Sequence, residues 1–217
     1  MTSFLTIQNT YHDIQLALFQ GSKIVATTSA NKIAASRMLI PLAASLLSKN
    51  NTPLSELKFI AANIGPGPYT TLRTVLASAN GLSFATHVPL IGIDALEAMI
   101  QENNPAAPMP LVVLLNAFNQ DVYFAIQLAP GEIQKGCMNI KALLSHLAQT
   151  IPEDEIKFVG NGTTLHKDLI LETFGSPAVI TDPIPEAPSI ETIGLMALAK
   201  WDRQEGLMEQ LMPVYLK

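Results

Sequence analysis

The chain has 217 residues, 48% of them hydrophobic and 14% charged, a composition that excludes a disordered protein and allows one large domain or two small lobes. A formal net charge of −5 excludes the general cationic coat typical of nucleic-acid-binding proteins. The chain has a single cysteine, Cys137, no signal-peptide pattern at its N-terminus and no apolar run near the ~20 residues of a membrane helix. These features predict a cytoplasmic protein without a membrane segment.

The first half of the chain reads as three strands followed by alternating helices and strands. Alternating apolar residues predict strands over residues 4–8, 14–19 and 24–28. Helical spacing of leucine and alanine predicts a helix over 32–49, and a strand over 59–63 leads to a helix over 69–86. A strand over 90–92 and a helix over 95–102 complete this half.

After a proline-rich break at residues 103–110, the same order begins again. Strands are predicted over 111–116, 122–127 and 132–138, then a helix over 139–149, a strand over 156–160 and a helix over 163–174. The pattern β-β-β-α-β-α therefore occurs twice. It predicts an α/β protein with the duplicated, ribonuclease-H-like architecture of actin and sugar kinases, divided into lobes at 1–102 and 111–217. A plain doubly wound α/β sheet is the alternative fold.

The run from Gly65 to Arg73 joins a predicted buried strand to a predicted helix. Its two prolines fix φ and its two glycines permit unusual backbone angles, so the run predicts a rigid strand-to-helix turn. It lacks the Lys-Ser/Thr ending of a P-loop and the third glycine of a dinucleotide-binding fingerprint. A purely structural turn is the other interpretation.

The turns that would face a nucleotide in an actin-like protein contain amides where carboxylates would be needed. Gln8 ends the first strand of one lobe and Asn116 ends the first strand of the other. An amide holds Mg²⁺ poorly and cannot act as a general base, which argues against ATP hydrolysis. The four histidines have no metal-like spacing, so we predict no catalytic residue, no metal site and no cofactor.

The predicted helix over 69–86 carries a row of small residues, Ala77, Gly81 and Ala85, at intervals of four. Such a row lets another helix approach closely, either inside the lobe, against the helix over 32–49, or on a partner protein. The second interpretation predicts a partner interface on these two helices. Its residues are Leu39, Ala43, Arg73, Thr74, Ala77, Ser78, Gly81 and Ala85.

Several motifs together resemble the bacterial TsaB (YeaZ) family of tRNA threonylcarbamoyladenosine biosynthesis proteins. They are the run Gly65 to Arg73, the stretch 89–96, the segment 116–123, the run 159–162, and the C-terminal segments 188–199 and 213–217. The resemblance spans nearly the whole chain and is densest over 59–96.

The resemblance implies a non-catalytic scaffold or activating subunit. Proteins of this family pair through N-terminal helices with a catalytic homologue, TsaD, and a small ATPase, TsaE, joins them. The product is N6-threonylcarbamoyladenosine at position 37 of tRNAs that read codons beginning with A. Self-association through the same surface, and contact with tRNA only through the complex, are also implied.

The chain departs from the family pattern at six positions, which lie in four places along the sequence. The first turn usually reads Ile-Asp-Thr and is Ile-Gln-Asn here; the second usually reads Asp-Ala-Arg and is Asn-Ala-Phe at 116–118. Thr71 replaces a usual glycine, and Ala35 lies near the place of a usual histidine. Two other functions remain open: an independent small-molecule kinase or ATPase of the same fold, and a divergent homodimeric binding protein.

Overall fold

The computed structural model describes residues 2–103, 109–151 and 155–216, with seven α-helices and eleven strands in those ranges. In the first half these are β1 (Ser3–Asn9), β2 (Asp13–Gln20), β3 (Lys23–Asn31), α1 (Ala35–Lys49), β4 (Phe59–Asn63), α2 (Tyr69–Thr86), β5 (Leu90–Ile93) and α3 (Ala95–Asn103). The remainder are β6 (Leu111–Asn116), β7 (Asp121–Ala129), β8 (Glu132–Asn139), α4 (Ile140–Thr150), β9 (Ile156–Val159), α5 (Asn161–Leu165), α6 (Lys167–Phe174), β10 (Ala178–Val179), α7 (Ile190–Asp202) and β11 (Leu207–Met208).

Five strands follow the same order in both sheets, which confirms the predicted repeat, and β11 is an additional edge strand of the first sheet. The first runs β11-β5-β4-β1-β2-β3 and the second β10-β9-β6-β7-β8. In each sheet the first strand pairs antiparallel with the second and parallel with the strand after the first helix. The antiparallel meander at the start of each half excludes the doubly wound alternative, in which crossovers keep the sheet mostly parallel.

Contacts divide the chain into two units whose bounds differ from the expected lobes 1–102 and 111–217. The first unit contains Met1–Ala95 and Ser189–Val214, and the second contains Leu96–Pro188 and Tyr215–Lys217. The difference arises because α7 and β11 pack on the first sheet: α7 contacts β1, β2, β4 and β5, and β11 pairs with β5. Most of the proline-rich break, residues 104–108, lies outside the described residues.

The first sheet is covered on one face by α1 and α2 and on the other by α7. The α1–α2 side is aliphatic, with Leu5, Ile7, Leu16 and Ile60 in its core. The α7 side is aromatic: the ring centroids of Phe19 and Phe4 are 4.7 Å apart, those of Phe4 and Phe59 4.3 Å, and those of Phe59 and Trp201 5.2 Å. Alternation along the strands sends successive side chains to these two faces.

The second unit has its own core, between its sheet and the helices α4 and α6. Buried aliphatic side chains of β6 and β7 meet Leu143, Leu144 and Leu147 of α4. The helix expected over 163–174 is interrupted at His166, where φ and ψ are −118° and 20°. The interruption lets α5 lie close on β6, where a Cβ on Gly162 would come within 2.9 Å of Leu114, while α6 turns toward α4.

Candidate protein-protein interface on α1 and α2

The turn before α2 is held by its own backbone and by its neighbours. Gly65 has φ of +95°, a conformation that L side chains rarely adopt, and an added Cβ would lie 2.8 Å from Leu72 Cδ2. The Gly65 N–H donates to Asn63 Oδ1 at 2.8 Å, and the Gly65 carbonyl accepts from the Ala95 N–H at 2.8 Å. The predicted rigid elbow therefore exists, and it fixes where α2 begins.

Helix α2 has one buried face and one exposed face. The buried side chains are Leu72, Val75, Leu76 and Ala79. The exposed residues are Arg73, Ala77, Gly81 and Ala85, with Thr74 and Ser78 partly exposed beside them. A Cβ added to Gly81 would find no atom within 4 Å, so this row is not the contact between α2 and α1. Internal packing of the row, the alternative interpretation, is excluded for Gly81 by this open space.

Two residues expected at the interface lie in the core instead. Leu39 and Ala43 are only 1% and 2% exposed, and both pack in the cluster beneath α1 and α2. The interface prediction is corrected at these two positions. They belong to the apolar stripe with which α1 covers the sheet, so they have no surface left for a partner.

Large apolar side chains lie exposed near the row. Phe84 is 86% exposed and Ile33 88%, and Met38 and Ile40 of α1 are also exposed. Isolated exposed apolar residues are ordinary, but several of them on and beside two helices that pack together favour an interaction surface. Phe84 was missed from the sequence, although it lies three positions after Gly81 and hence on the same side of the helix.

Two grooves adjoin α2. One, of about 640 Å³, is lined by Ile40 and Ala44 of α1 together with Leu82 of α2. The other, of about 1000 Å³, lies where Gly81 and Phe84 meet the short strand β11. An apolar surface with concave edges therefore extends from α1 across α2 to β11, and we call it the α1–α2 face.

The charged side chains that α1 and α2 contribute to this face are all basic, whereas Glu209 adds an acidic group at its β11 edge. Helices α1 and α2 contain Arg37, Lys49 and Arg73 but neither aspartate nor glutamate, and between residues 14 and 93 Glu56 is the sole acidic residue of the sequence. The Arg73 guanidinium lies 4.3 Å from the centre of the Tyr69 ring. The part of the face on α1 and α2, apolar at its centre and basic at its rim, is complementary to a partner with an apolar centre and an acidic rim.

One amide in each of the turns that lack carboxylates makes a hydrogen bond within the fold. Gln8 is buried, and its Nε2 donates to Gln15 Oε1 at 3.3 Å. Asn116 Oδ1 accepts from the Phe118 N–H at 2.8 Å. Among the described residues, no group of three or more His, Cys, Asp or Glu side chains is placed to hold a metal ion.

No helix in the described ranges combines the length and the apolarity needed to span a membrane.

Comparisons with known proteins agree on one family. The family model described as "TsaD: tRNA N6-adenosine threonylcarbamoyltransferase" matches residues 27–215. The tRNA threonylcarbamoyladenosine biosynthesis protein TsaB of Bacillus subtilis (strain 168) is 21% identical over 99% of this chain and 94% of its own length. The TsaB of Buchnera aphidicola subsp. Acyrthosiphon pisum is 23% identical over 56% of this chain, a match that spans about half (55%) of that relative.

Solved structures agree on the fold. YeaZ from Pseudomonas aeruginosa aligns over 100% of both chains with a TM-score of 0.74 and 23% identity. A polyphosphate/ATP-glucomannokinase from Arthrobacter sp. strain KM aligns over 94% of this chain and 100% of its own, with a TM-score of 0.52 and 10% identity. The predicted duplicated actin-like fold is confirmed by these neighbours.

Proposed function

Because this chain belongs to the TsaD family of tRNA N6-adenosine threonylcarbamoyltransferase proteins, and within it to the TsaB/YeaZ group that its motifs resemble, we propose that it acts as a non-catalytic subunit of threonylcarbamoyladenosine biosynthesis. In this proposal it pairs with a TsaD-like catalytic subunit through the α1–α2 face. A TsaE-like ATPase joins the assembly, tRNA is contacted only through the complex, and the modified base is adenosine 37 of tRNAs reading codons that begin with A.

The observation that carries the proposal is the open α1–α2 face. Ala77, Gly81 and Ala85 leave a shallow path along α2 beside the exposed ring of Phe84, and nothing within the first unit fills it at Gly81. Small residues allow a partner helix to approach the backbone closely, and a projecting aromatic ring supplies an anchor.

The two carboxylate-free turns support a role without catalysis. A phosphoryl-transfer site of this fold needs acidic residues to hold Mg²⁺ and position a water molecule. Here Gln8 is bonded to Gln15, and Asn116 caps its own turn. Both amides serve the local structure.

The direct test measures binding of the purified chain to the TsaD-like protein of the same organism by isothermal titration calorimetry, with and without nucleotide and the ATPase partner. Ala77→Glu places a charge in the middle of the face, and burying an unpaired charge should weaken binding by about 2 kcal/mol or more, roughly 30-fold. Ala142→Glu is the matched control, because Ala142 is an exposed helical alanine in the second unit. Equal affinities for the two variants, or no complex at micromolar concentrations with the wild-type chain, would refute the proposal.

Self-association is proposed to use the same surface. Sedimentation of the chain alone should then show a dimer that Ala77→Glu dissociates and Ala142→Glu does not. A homodimer that persists in Ala77→Glu would place self-association elsewhere.

Separate measurements test the two alternative functions, an independent kinase or ATPase and a homodimeric binding protein. Magnesium-dependent ATP turnover by the pure chain, lost when Thr10 or Asn116 is changed, would favour an independent kinase or ATPase. Failure to complement a strain depleted of its own TsaB, with a stable homodimer in solution, would favour an unrelated binding protein.

A further inference from the structure

The turn between β6 and β7 has an unusual backbone. Phe118, Asn119 and Gln120 follow one another with φ of 63°, 54° and 67°. Asparagine tolerates this left-handed conformation, but phenylalanine and glutamine seldom adopt it, and glycine would adopt it without strain. A turn that merely joined two strands would not require an aromatic residue at its first left-handed position.

Hydrogen bonds on every side keep this turn in place. The Phe118 N–H donates to Asn116 Oδ1 at 2.8 Å, and the Phe118 carbonyl accepts from the Asp121 N–H at 2.9 Å. The Gln120 carbonyl accepts from the Ile140 N–H at 2.9 Å, which ties the turn to the start of α4. These hydrogen bonds hold the backbone of the turn in place. The Phe118 side chain that it carries is 57% exposed. Strain retained around an exposed side chain points to a function of that side chain.

The ring projects beside a cavity of about 570 Å³ that lies within the second unit. Phe118 and Leu165 supply apolar surface at its wall, and Asn119 supplies an amide. Lys141 and Asp168 bring one charge of each sign, so the cavity has little net charge of its own. His166 also lines the wall, and burial lowers its pKa, so at neutral pH its ring is an uncharged hydrogen-bonding group.

These groups fit a flat heteroaromatic ring better than a simple anion. An exposed aromatic ring stacks on any base, and nearby amide and imidazole groups can meet the hydrogen-bonding edge of that base. A lone lysine opposed by an aspartate gives a weak phosphate site, although Lys141 can contact a phosphate attached to the base.

We propose that this cavity binds a nucleobase, stacked on Phe118 and hydrogen-bonded at its edge by Asn119 and His166. The base belongs either to a free nucleotide or to an unpaired nucleotide of an RNA strand. This inference goes beyond the scaffold role and does not depend on it; RNA binding by the isolated chain would replace the proposal that tRNA is contacted only through the complex.

The experiment uses the isolated full-length chain, so its outcome is separate from partner binding. One arm titrates each of the four ribonucleoside monophosphates by isothermal titration calorimetry. The other follows fluorescence anisotropy of a labelled single-stranded ten-residue oligoribonucleotide of mixed sequence. Binding in the first arm identifies a free nucleotide as a ligand, and binding in the second alone identifies an unpaired RNA base.

The variants separate stacking from folding. Phe118→Ala should weaken binding about tenfold or more, because the stacked ring is lost. Phe118→Gly should do the same while keeping the turn, since glycine accepts the left-handed conformation. Phe118→Tyr should retain binding, and Leu171→Ala, at an exposed apolar position of α6 outside the cavity wall, should leave it unchanged.

Two results would overturn the proposal. One is the absence of saturable binding in both arms at millimolar nucleotide and micromolar RNA. The other is unchanged affinity in a folded Phe118→Gly protein. Loss of partner binding on changing Phe118, without any nucleotide or RNA binding by the wild type, would assign the ring to a protein contact and would equally refute a nucleobase site.

Discussion

Two helical glycines, Gly81 and Gly194, occupy opposite environments, and substitution separates them. A Cβ on Gly194 would lie 2.3 Å from Cζ of Phe19, a fully buried ring of the aromatic layer under α7. We expect Gly194→Ala to lower the free energy of unfolding by about 1–3 kcal/mol through overpacking. Gly81→Ala, in open space, should raise it by up to about 1 kcal/mol because alanine is the better helix former.

Urea denaturation of both variants beside the wild type checks this pair. Alanine is the new residue in each case, so the difference reports the surroundings of the two sites. A Gly194→Ala protein as stable as the wild type would mean that α7 does not pack closely at this point.

Partial burial of His166 predicts that the stability of the chain falls in mild acid. Desolvation lowers its pKa in the folded protein below the ordinary 6.5, so the folded state resists protonation more than the unfolded state. The contribution that neutral His166 makes to the stability of the folded chain is therefore fully present above pH 6.5. It is lost as the pH falls from there through the lowered pKa of the folded state. His166→Gln should reduce the loss of stability between pH 7.5 and pH 5, measured by urea denaturation at each pH. His146→Gln, at an exposed position of α4, is the control and should leave the loss unchanged.

Helical spacing could predict which of the proposed interface residues share a side of their helix, but not which side is exposed. Ala77, Gly81 and Ala85 share one side of α2, and that side proved exposed. Leu39 and Ala43 share an apolar stripe too, but theirs faces the sheet. Spacing identifies which residues share a side, whereas the choice between core and partner depends on tertiary packing.

Within α1, a proline at position 41 weakens the helix that forms half of the proposed interface. Pro41 has no N–H to donate within the helix, and its ring crowds the carbonyl four residues earlier. Pro41→Ala should therefore stabilise the chain by about 1–2 kcal/mol, part of the helical gain being offset by the more flexible unfolded chain. Thermal and urea unfolding measure the change.

Ser45→Ala is the control in the same helix. Ser45 is exposed, as Pro41 is, and replacing serine with alanine leaves the backbone N–H in place. It should change stability by only a few tenths of a kcal/mol. If Pro41→Ala were no more stable than Ser45→Ala, the proline would have to fit α1 without strain.

Most helices and strands could be predicted from the spacing of apolar residues and from the Gly, Pro and Asn residues between elements. The exceptions have physical causes. The strands of both meanders alternate clearly, and the helices α1, α2 and α4 carry strong apolar stripes. The split between α5 and α6 at His166 was not predictable, because it depends on how closely Gly162 approaches β6. The helix α7 was not predicted, and neither was β10 or β11, since the two residues of each strand give no measurable period.

Across the whole chain, local pattern could not show where the last helix packs. Reading along the sequence assigns α7 to the second lobe, because it follows that lobe in order. Burial assigns it to the first: Trp201 stacks on Phe59, and Gly194 contacts Phe19. Similarly, Leu211 is buried in the first unit, where its N–H donates to Asn80 Oδ1 at 2.8 Å and its carbonyl accepts from Asn80 Nδ2 at 3.0 Å.

This assignment predicts that the first unit cannot fold without residues 189–214. Truncation after Pro188 would uncover Phe4, Phe19 and Phe59, each contributing about 1.5–3 kcal/mol by burial. The combined loss is comparable to the whole stability of a typical domain, about 5–15 kcal/mol, so the truncated chain should lose its cooperative thermal transition or aggregate. A chain truncated after Val214 keeps α7 and the Leu211 contacts and is the matched control. If the shorter chain melted cooperatively with the stability of the control, the division into units by packing would be wrong and the lobes would follow the order of the sequence.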